Sequence, residues 1–284
     1  MTTHDWLTVR QGAAPLLVSL PHTGTVLPPD VEARVVSPWL ARKDVDWWID
    51  RLYAFAADLD ATIVHTAISR TAIDVNRDPS GVSLYPGQAT TGLCPTETFD
   101  GEPLYPSGDA PTVRDMAERR RRYFAPYHAA LEAQIARLMA RHPRIVLYDC
   151  HSIRSVVPRL FDGELPQFNI GTNDGASCDW TLTRAVERDC DRAGLTRVTN
   201  GRFKGGYITR HYGRPEAGVH AIQMELACRG YMDEPADVHE GNWPTPYAEA
   251  RAARLRSTLA GVLEGVVSWA VEGPDEAAPD TGVL

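Results

Sequence analysis

Two histidines stand at the ends of two apolar runs, and that pairing is the first chemistry the sequence offers. Leu16 to Leu20 runs into Pro21-His22-Thr23-Gly24, and Ile145 to Tyr148 runs into Asp149-Cys150-His151-Ser152. Short apolar runs of this kind read as buried strands. In open α/β sheets, ligands gather at the carboxyl ends of the strands. One histidine there is as readily a hydrogen-bonded core residue. Two histidines delivered to the same sheet edge are the start of a metal site. A catalytic zinc takes about three N or O ligands and keeps one position for water. The third ligand is expected from a carboxylate after the first strand, Asp44 or Asp46. Asp44 reads as the N-cap of the following helix, so Asp46 is preferred as the ligand.

The elements that must position these residues alternate along the chain. Trp6 to Arg10 reads as an edge strand, Leu16 to Leu20 as the first buried strand, and Ala61 to Thr66 as another, with Ser69 to Val75 as a further strand candidate. Asp30 is expected to cap a short helix from Val31. Helical spacing runs through Trp47, Ile49, Leu52, Phe55 and Ala56. It is clearest over 112–141, where Met116, Tyr123, Tyr127, Leu131, Ile135 and Leu138 form a stripe. Later come a strand at Phe168 to Gly171, a helix opened by Asp179 and closed by Gly194, and a strand at Thr196 to Thr199. A strand at Val219 to Leu226 carries Glu225 near its end, and a helix follows from Tyr247 to Glu264. Buried, non-alternating strands between helices predict one three-layer α/β/α domain with a central mixed sheet, over residues 1–272. Residues 273–284, acidic and Pro-containing, are expected to be a flexible tail. The stretch to Pro111 after Asn76 is long, rich in Pro, Gly and Thr, and without periodicity. Loops of this length serve as lids or specificity loops, and the 81–111 part is the candidate here.

Composition narrows the partners. A net charge of −8 on 284 residues argues against nucleic acid, which calls for a basic patch. Five scattered cysteines with no CxxC pair argue against a disulfide framework and fit a reducing cytoplasm. No apolar run approaches the ~20 residues of a membrane span, and the N-terminus does not read as a signal peptide. A small-molecule substrate is the remaining class of partner. Oligomeric state is not legible.

The segments SLPHTG (19–24), DVDWWIDRLY (44–53), SRTAIDVNRDP (69–79), YDCHS (148–152), NGRFKGGYITRHYG (200–213) and IQMEL (222–226) together resemble the N-formylglutamate amidohydrolase (deformylase) family, in residues and in order. The layout is more distantly similar to zinc carboxypeptidases and aspartoacylases, which implies their phosphorylase/hydrolase-like version of the three-layer fold. The resemblance implies one Zn2+, or another divalent ion such as Co2+, held by His22, Asp46 and His151. It implies that Arg70 serves the oxyanion, that Asn76-Arg77 and Ser152 meet the substrate, and that Glu225 is the base. It further implies hydrolysis of N-formyl-L-glutamate to formate and L-glutamate, closing a route of histidine degradation. One departure stands out. The HxxE spacing of carboxypeptidases is absent, because residue 25 is Thr, so the carboxylate ligand must come from further along.

The residues themselves suit that chemistry. Formamide hydrolysis needs an activated water, a polarised carbonyl and a proton for the departing amine. Glu225 can carry the proton, and Arg70 can meet developing negative charge. Arginine clamps carboxylates bidentately. Arg77 is the first clamp and Arg210, in the Gly-rich loop, the second, with Arg202 and Lys204 as runners-up. Asp74 and Asp149, beside the candidates, can orient imidazoles from behind. Two other readings stay open: a zinc hydrolase of another N-acyl amino acid or peptide amide, and a non-catalytic metal or amino-acid binding protein.

Overall fold

Ile145–Ile153 and Val219–Ala227 are each nine residues long with every residue buried. They pair in parallel at the middle of the sheet. Strands covered on both faces need apolar residues on both, which is why these runs do not alternate. The computed structural model describes residues 4–84 and 87–273; the expected C-terminal tail from residue 274 onward lies outside them. The sheet contains β1 (Leu7–Arg10), β2 (Leu16–Leu20), β3 (Thr62–Thr66), β4 (Ile145–Ile153), β5 (Phe168–Gly171), β6 (Arg197–Thr199) and β7 (Val219–Ala227). Their spatial order is β1-β3-β2-β4-β7-β5-β6. β2, β3, β4 and β7 run parallel, whereas β1 pairs antiparallel with β3 and β5 antiparallel with β7. The sheet is therefore mixed, as expected.

Two helical layers cover it. The helices are α1 (Pro29–Glu32), α2 (Ile49–Leu52), α3 (Val113–Arg119), α4 (Ala125–Met139), α5 (Trp180–Arg192), α6 (Tyr207–Tyr212) and α7 (Glu249–Glu272). Val146, Tyr148 and Cys150 of β4 pack with Ile222, Met224 and Leu226 of β7 against α2, α5 and α7. Ile145, Leu147, Val219 and Ala221 face the other way, against α4 and α6. Along β4 and β7 that second face changes character. Its apolar residues give way to Asp149 and His151 on β4 and to Gln223 and Glu225 on β7, all buried. The register sets Ser19 beside Asp149, Asp149 beside Gln223, and His151 beside Glu225. A polar row across three strand ends is thus built from period-2 alternation within each strand and the register between them.

Local expectations fare unevenly. Asp179 caps α5 by accepting from the Thr181 N–H at 2.8 Å, and Gly194 follows that helix at φ +63°. The long helix is interrupted by a π-helical turn at Arg120–Phe124, and the C-terminal helix runs eight residues past Glu264, to Glu272. Ser69 to Val75 is not a strand. Arg70 Nη2 reaches back to Asp74 Oδ2 at 2.7 Å, which an extended chain rising ~3.3 Å per residue cannot do. Asp30 lies inside α1 and caps nothing.

Candidate active site

Asp46 reaches the site through the segment between α1 and α2. Its backbone N–H donates to the His22 carbonyl at 3.0 Å, so this loop lies alongside the end of β2. Indole N–H groups fix the loop: Trp39 and Trp48 donate to the carbonyls of Trp243 and Thr245, and Trp243 donates to that of Lys43. Trp48 sits at φ +63°, an uncommon conformation for a bulky residue. It occupies the N-cap position of α2. Asp44 therefore does not cap that helix. Its carboxylate accepts from the Phe99 N–H at 2.6 Å, and burial pushes its pKa up to about 6.

His22, Asp46 and His151 converge, with ligand-type atoms within 4.8 Å of one another. His151 Nδ1 lies 3.1 Å from Asp46 Oδ2 and His22 Nδ1 3.7 Å from it. The opposite nitrogens are held from behind. His22 Nε2 meets Asp74 Oδ1 at 2.7 Å, and His151 Nε2 meets Asp149 Oδ2 at 2.8 Å. A carboxylate only accepts, so each pair puts a ring proton on Nε2, and Nδ1 of each ring is the nitrogen turned toward the common point with Asp46. His22 Nδ1 is buried there without a hydrogen-bond partner. Two imidazoles presented in this way, each backed by a carboxylate, are the donor arrangement of protein metal sites.

The electrostatics point the same way. Burial by itself would raise the Asp46 carboxyl, but the imidazoles of His151 and His22 outweigh it and hold it below the usual carboxylate range. Burial likewise opposes ionisation of Asp74, and the charges of His22, Arg77 and Arg70 override it. Desolvation disfavours a proton on His151, yet Asp149 and Asp46 drive its proton affinity well above that of an ordinary histidine. Buried carboxylates are pulling positive charge onto an imidazole. A divalent cation at the same point would answer that demand.

Glu225 stands next to His151 across the β4–β7 ladder. Burial raises its pKa to about 7, with Asp46 and Asp149 adding to the effect and His151 and Arg70 opposing it. Its carboxylate accepts from Gln223 Nε2 at 3.1 Å, while Gln223 Oε1 accepts from the Gly206 N–H at 2.7 Å. The cleft above these groups is lined by Arg70, Asn76, Arg77, Thr91, Phe99, Arg202 and Phe203, among others, and encloses about 50 Å³.

The profile of the N-formylglutamate amidohydrolase family matches residues 14–232. The chain belongs to the N-formylglutamate amidohydrolase family. It is 47% identical over 271 residues to an N-formylglutamate deformylase of Pseudomonas aeruginosa, covering 94% of this chain and 97% of that one. It is 43% identical over 267 residues to an N-formylglutamate deformylase of Pseudomonas putida, again covering 94% and 97%. The crystal structure of an N-formylglutamate amidohydrolase from Ralstonia eutropha JMP134 superposes with a TM-score of 0.75 at 27% identity, covering 92% of this chain and 97% of that one.

Within this amidohydrolase frame, the structure sorts the residues singled out from sequence. His22, Asp46, His151, Glu225, Arg70, Asn76 and Arg77 gather at one site. Arg70 is buried, paired to Asp74 at 2.7 Å and set 3.5 Å from Asp46. Its guanidinium lies over the Phe99 ring. The Asn76 amide already serves the protein. Nδ2 lies 3.0 Å from Asp149 and 2.9 Å from His151, and Oδ1 accepts from the Ile208 N–H. Asn76 therefore orients the His151–Asp149 pair.

Ser152 and Arg210 do not reach the cleft. Residues 150 and 152 share the face of β4 opposite to 149 and 151, so the Ser152 hydroxyl accepts from Tyr231 instead, at 2.8 Å. Ser152 contributes through its backbone, donating to Asp46 Oδ2 at 3.2 Å. Arg210 lies on α6 with Nε on the Gly205 carbonyl. Among the described residues, the cation that the Gly-rich loop brings to the cleft is Arg202, whereas Lys204 pairs with Asp174. Gln223 went unnoticed in the sequence. Its signal was a polar residue two positions before Glu225, on the same face of a largely apolar strand.

Proposed function

We propose that this protein is a metal-dependent amidohydrolase that cleaves N-formyl-L-glutamate to formate and L-glutamate. The observation that carries the reading is the convergence of His22 Nδ1, Asp46 and His151 Nδ1 at a buried point beside Glu225. The names of the Pseudomonas relatives and the family membership supply the substrate. The orphaned His22 Nδ1 and the mixed N/O donor set fit a zinc ion. When bound, such an ion lowers the pKa of water and polarises a carbonyl oxygen.

The chain's own residues do the rest. Asp74 and Asp149 hold the two imidazoles in the tautomer that exposes Nδ1. Glu225, with a pKa near neutrality, takes a proton from the attacking water and passes it to the leaving nitrogen. Arg70, fixed by Asp74 and stacked on Phe99, presents positive charge to the oxyanion that develops on the formyl oxygen. Arg77 receives the α-carboxylate; its Nε and Nη2 now donate to Thr91 O at 3.0 Å and Thr91 Oγ1 at 3.2 Å.

The test combines metal analysis of the purified protein with formate release from N-formyl-L-glutamate. About one divalent ion per chain is expected, with activity that a chelator removes and added zinc restores. Formate release at an unchanged rate in the rigorously metal-free protein would sink the metal-dependent reading. Absence of formate release from the metal-loaded protein would sink the substrate.

A further inference from the structure

Two guanidiniums in the cleft hold the same short stretch of chain. Arg77 donates to the carbonyl and hydroxyl of Thr91. Arg202 donates through Nη2 to the carbonyl of Ala89 at 2.9 Å and through Nε to that of Leu160 at 2.7 Å. Both arginines line the cleft beside His151 and Glu225. Two carbonyls two residues apart are separated by at most about 7 Å. The two carboxyl carbons of a glutamate skeleton are four C–C bonds apart, about 5 Å when extended. Main-chain oxygens thus occupy these two cations no more than about 7 Å apart, a span that a five-carbon diacid can bridge. A carboxylate makes a charge-assisted, bidentate bond to guanidinium that is roughly twice as strong as a neutral one, so it can replace a carbonyl there. Both guanidiniums are already engaged by main-chain carbonyls, so a ligand carboxylate reaches either one by displacing a carbonyl.

We propose that Arg202 selects the side-chain carboxylate of the substrate, and that the Ala89–Thr91 segment holds Arg202 and Arg77 ready until the ligand's two carboxylates take its place. The proposal rests on the deformylase reading for the identity of the reaction, but not for the recognition of a diacid. The assignment of ends follows from the chain. Arg77 adjoins Asn76, whose amide touches His151, so it meets the carboxylate nearest the reacting formamide. Arg202, two residues further along the held segment, meets the far one. Arginine suits this task better than lysine because its planar fork matches a carboxylate with two parallel bonds.

The experiment compares kcat/KM for N-formyl-L-glutamate and N-formyl-L-glutamine, which differ only in side-chain charge, in the wild type, Arg202→Met, Arg202→Lys and Arg77→Met. Alongside, glutarate and its monoamide glutaramate are titrated calorimetrically into the same proteins. Arg202→Met is expected to lower kcat/KM on the glutamate derivative by about 100-fold, the scale of removing one partner from a desolvated charge pair. The glutamine derivative should suffer far less, so that the preference collapses. Arg202→Lys should restore part of it and carries the comparison if the methionine variant folds poorly. Arg77→Met should weaken both substrates alike. Glutarate should bind the wild type more tightly than glutaramate does, and lose that advantage without Arg202. Equal losses on both substrates in Arg202→Met would overturn the proposal, as would equal binding of glutarate and glutaramate to the wild type. If neither substrate yields formate but glutarate binding depends on Arg202, the deformylase reading falls and the diacid assignment stands.

Discussion

Glu225→Gln separates the chemistry from the packing, because the amide keeps the shape of the carboxylate and removes its basicity. Its oxygen can still accept from Gln223 Nε2, the hydrogen bond the carboxylate makes now. As general base, Glu225 should be worth ~10²–10⁴-fold in rate, so the variant should lose at least ~100-fold in kcat with little change in KM. The same substitution should stabilise the metal-free protein. Burial raises the folded pKa to about 7 from an ordinary value of 4.5. Between those values the unfolded chain has released a proton that the native state retains, so this residue's contribution falls as pH rises. At 1.36 kcal/mol per unit, the folded state carries a penalty of about 1 kcal/mol at pH 5 and about 3 kcal/mol at pH 8. Glutamine carries none. Urea unfolding of chelator-treated wild type and variant at both pH values should show the variant gaining on the wild type as pH rises. A variant that is less stable than the wild type at pH 8 would refute the argument from the buried carboxylate. Near-normal kcat at saturating N-formyl-L-glutamate would refute the role as base, whatever the unfolding data show.

Other outcomes follow from the same geometry. Asp74→Asn removes the acceptor-only partner that fixes the His22 tautomer at 2.7 Å, so metal affinity measured against a competing chelator should fall ~10–100-fold. Arg77→Ala should act mainly on KM, because a carboxylate clamp serves ground and transition states alike; a fall confined to kcat would contradict its placement. Gly206→Ala would put a Cβ 2.4 Å from Asn76 Nδ2 and push that amide off Asp149 and His151. Misplacement on this scale can cost ~100-fold, so kcat/KM should drop while far-UV circular dichroism stays native. In the wild type, kcat/KM should rise with pH on an acid limb that disappears in Glu225→Gln, since the base must lose its proton before it can act.

What the sequence determined by itself was everything carried by local pattern. Continuous apolar runs marked β2, β4 and β7, and the residues at their ends marked His22, His151 and Glu225, because a strand that is buried on both faces has one legible signature. The order of those segments carries the resemblance to the family with no tertiary information. The sequence favours Asp46 over Asp44 through a capping argument that the structure does not support, since Trp48 is the N-cap of α2 and Asp44 binds the Phe99 N–H. What places Asp46 is the hydrogen bond from its N–H to the His22 carbonyl, together with three indole hydrogen bonds tying this loop to Trp243 and Thr245, about 200 residues away. No local pattern encodes contacts at that separation. Ser152 and Arg210 show the same limit. Adjacency to His151 suggested a shared site, but strand alternation sends the Ser152 hydroxyl to the opposite face, and the turn after Arg202 carries Arg210 onto α6. Alternation decides which residues of one strand share a face, but which residues that face meets is decided by the register of β4 against β2 and β7, a property of the assembled sheet.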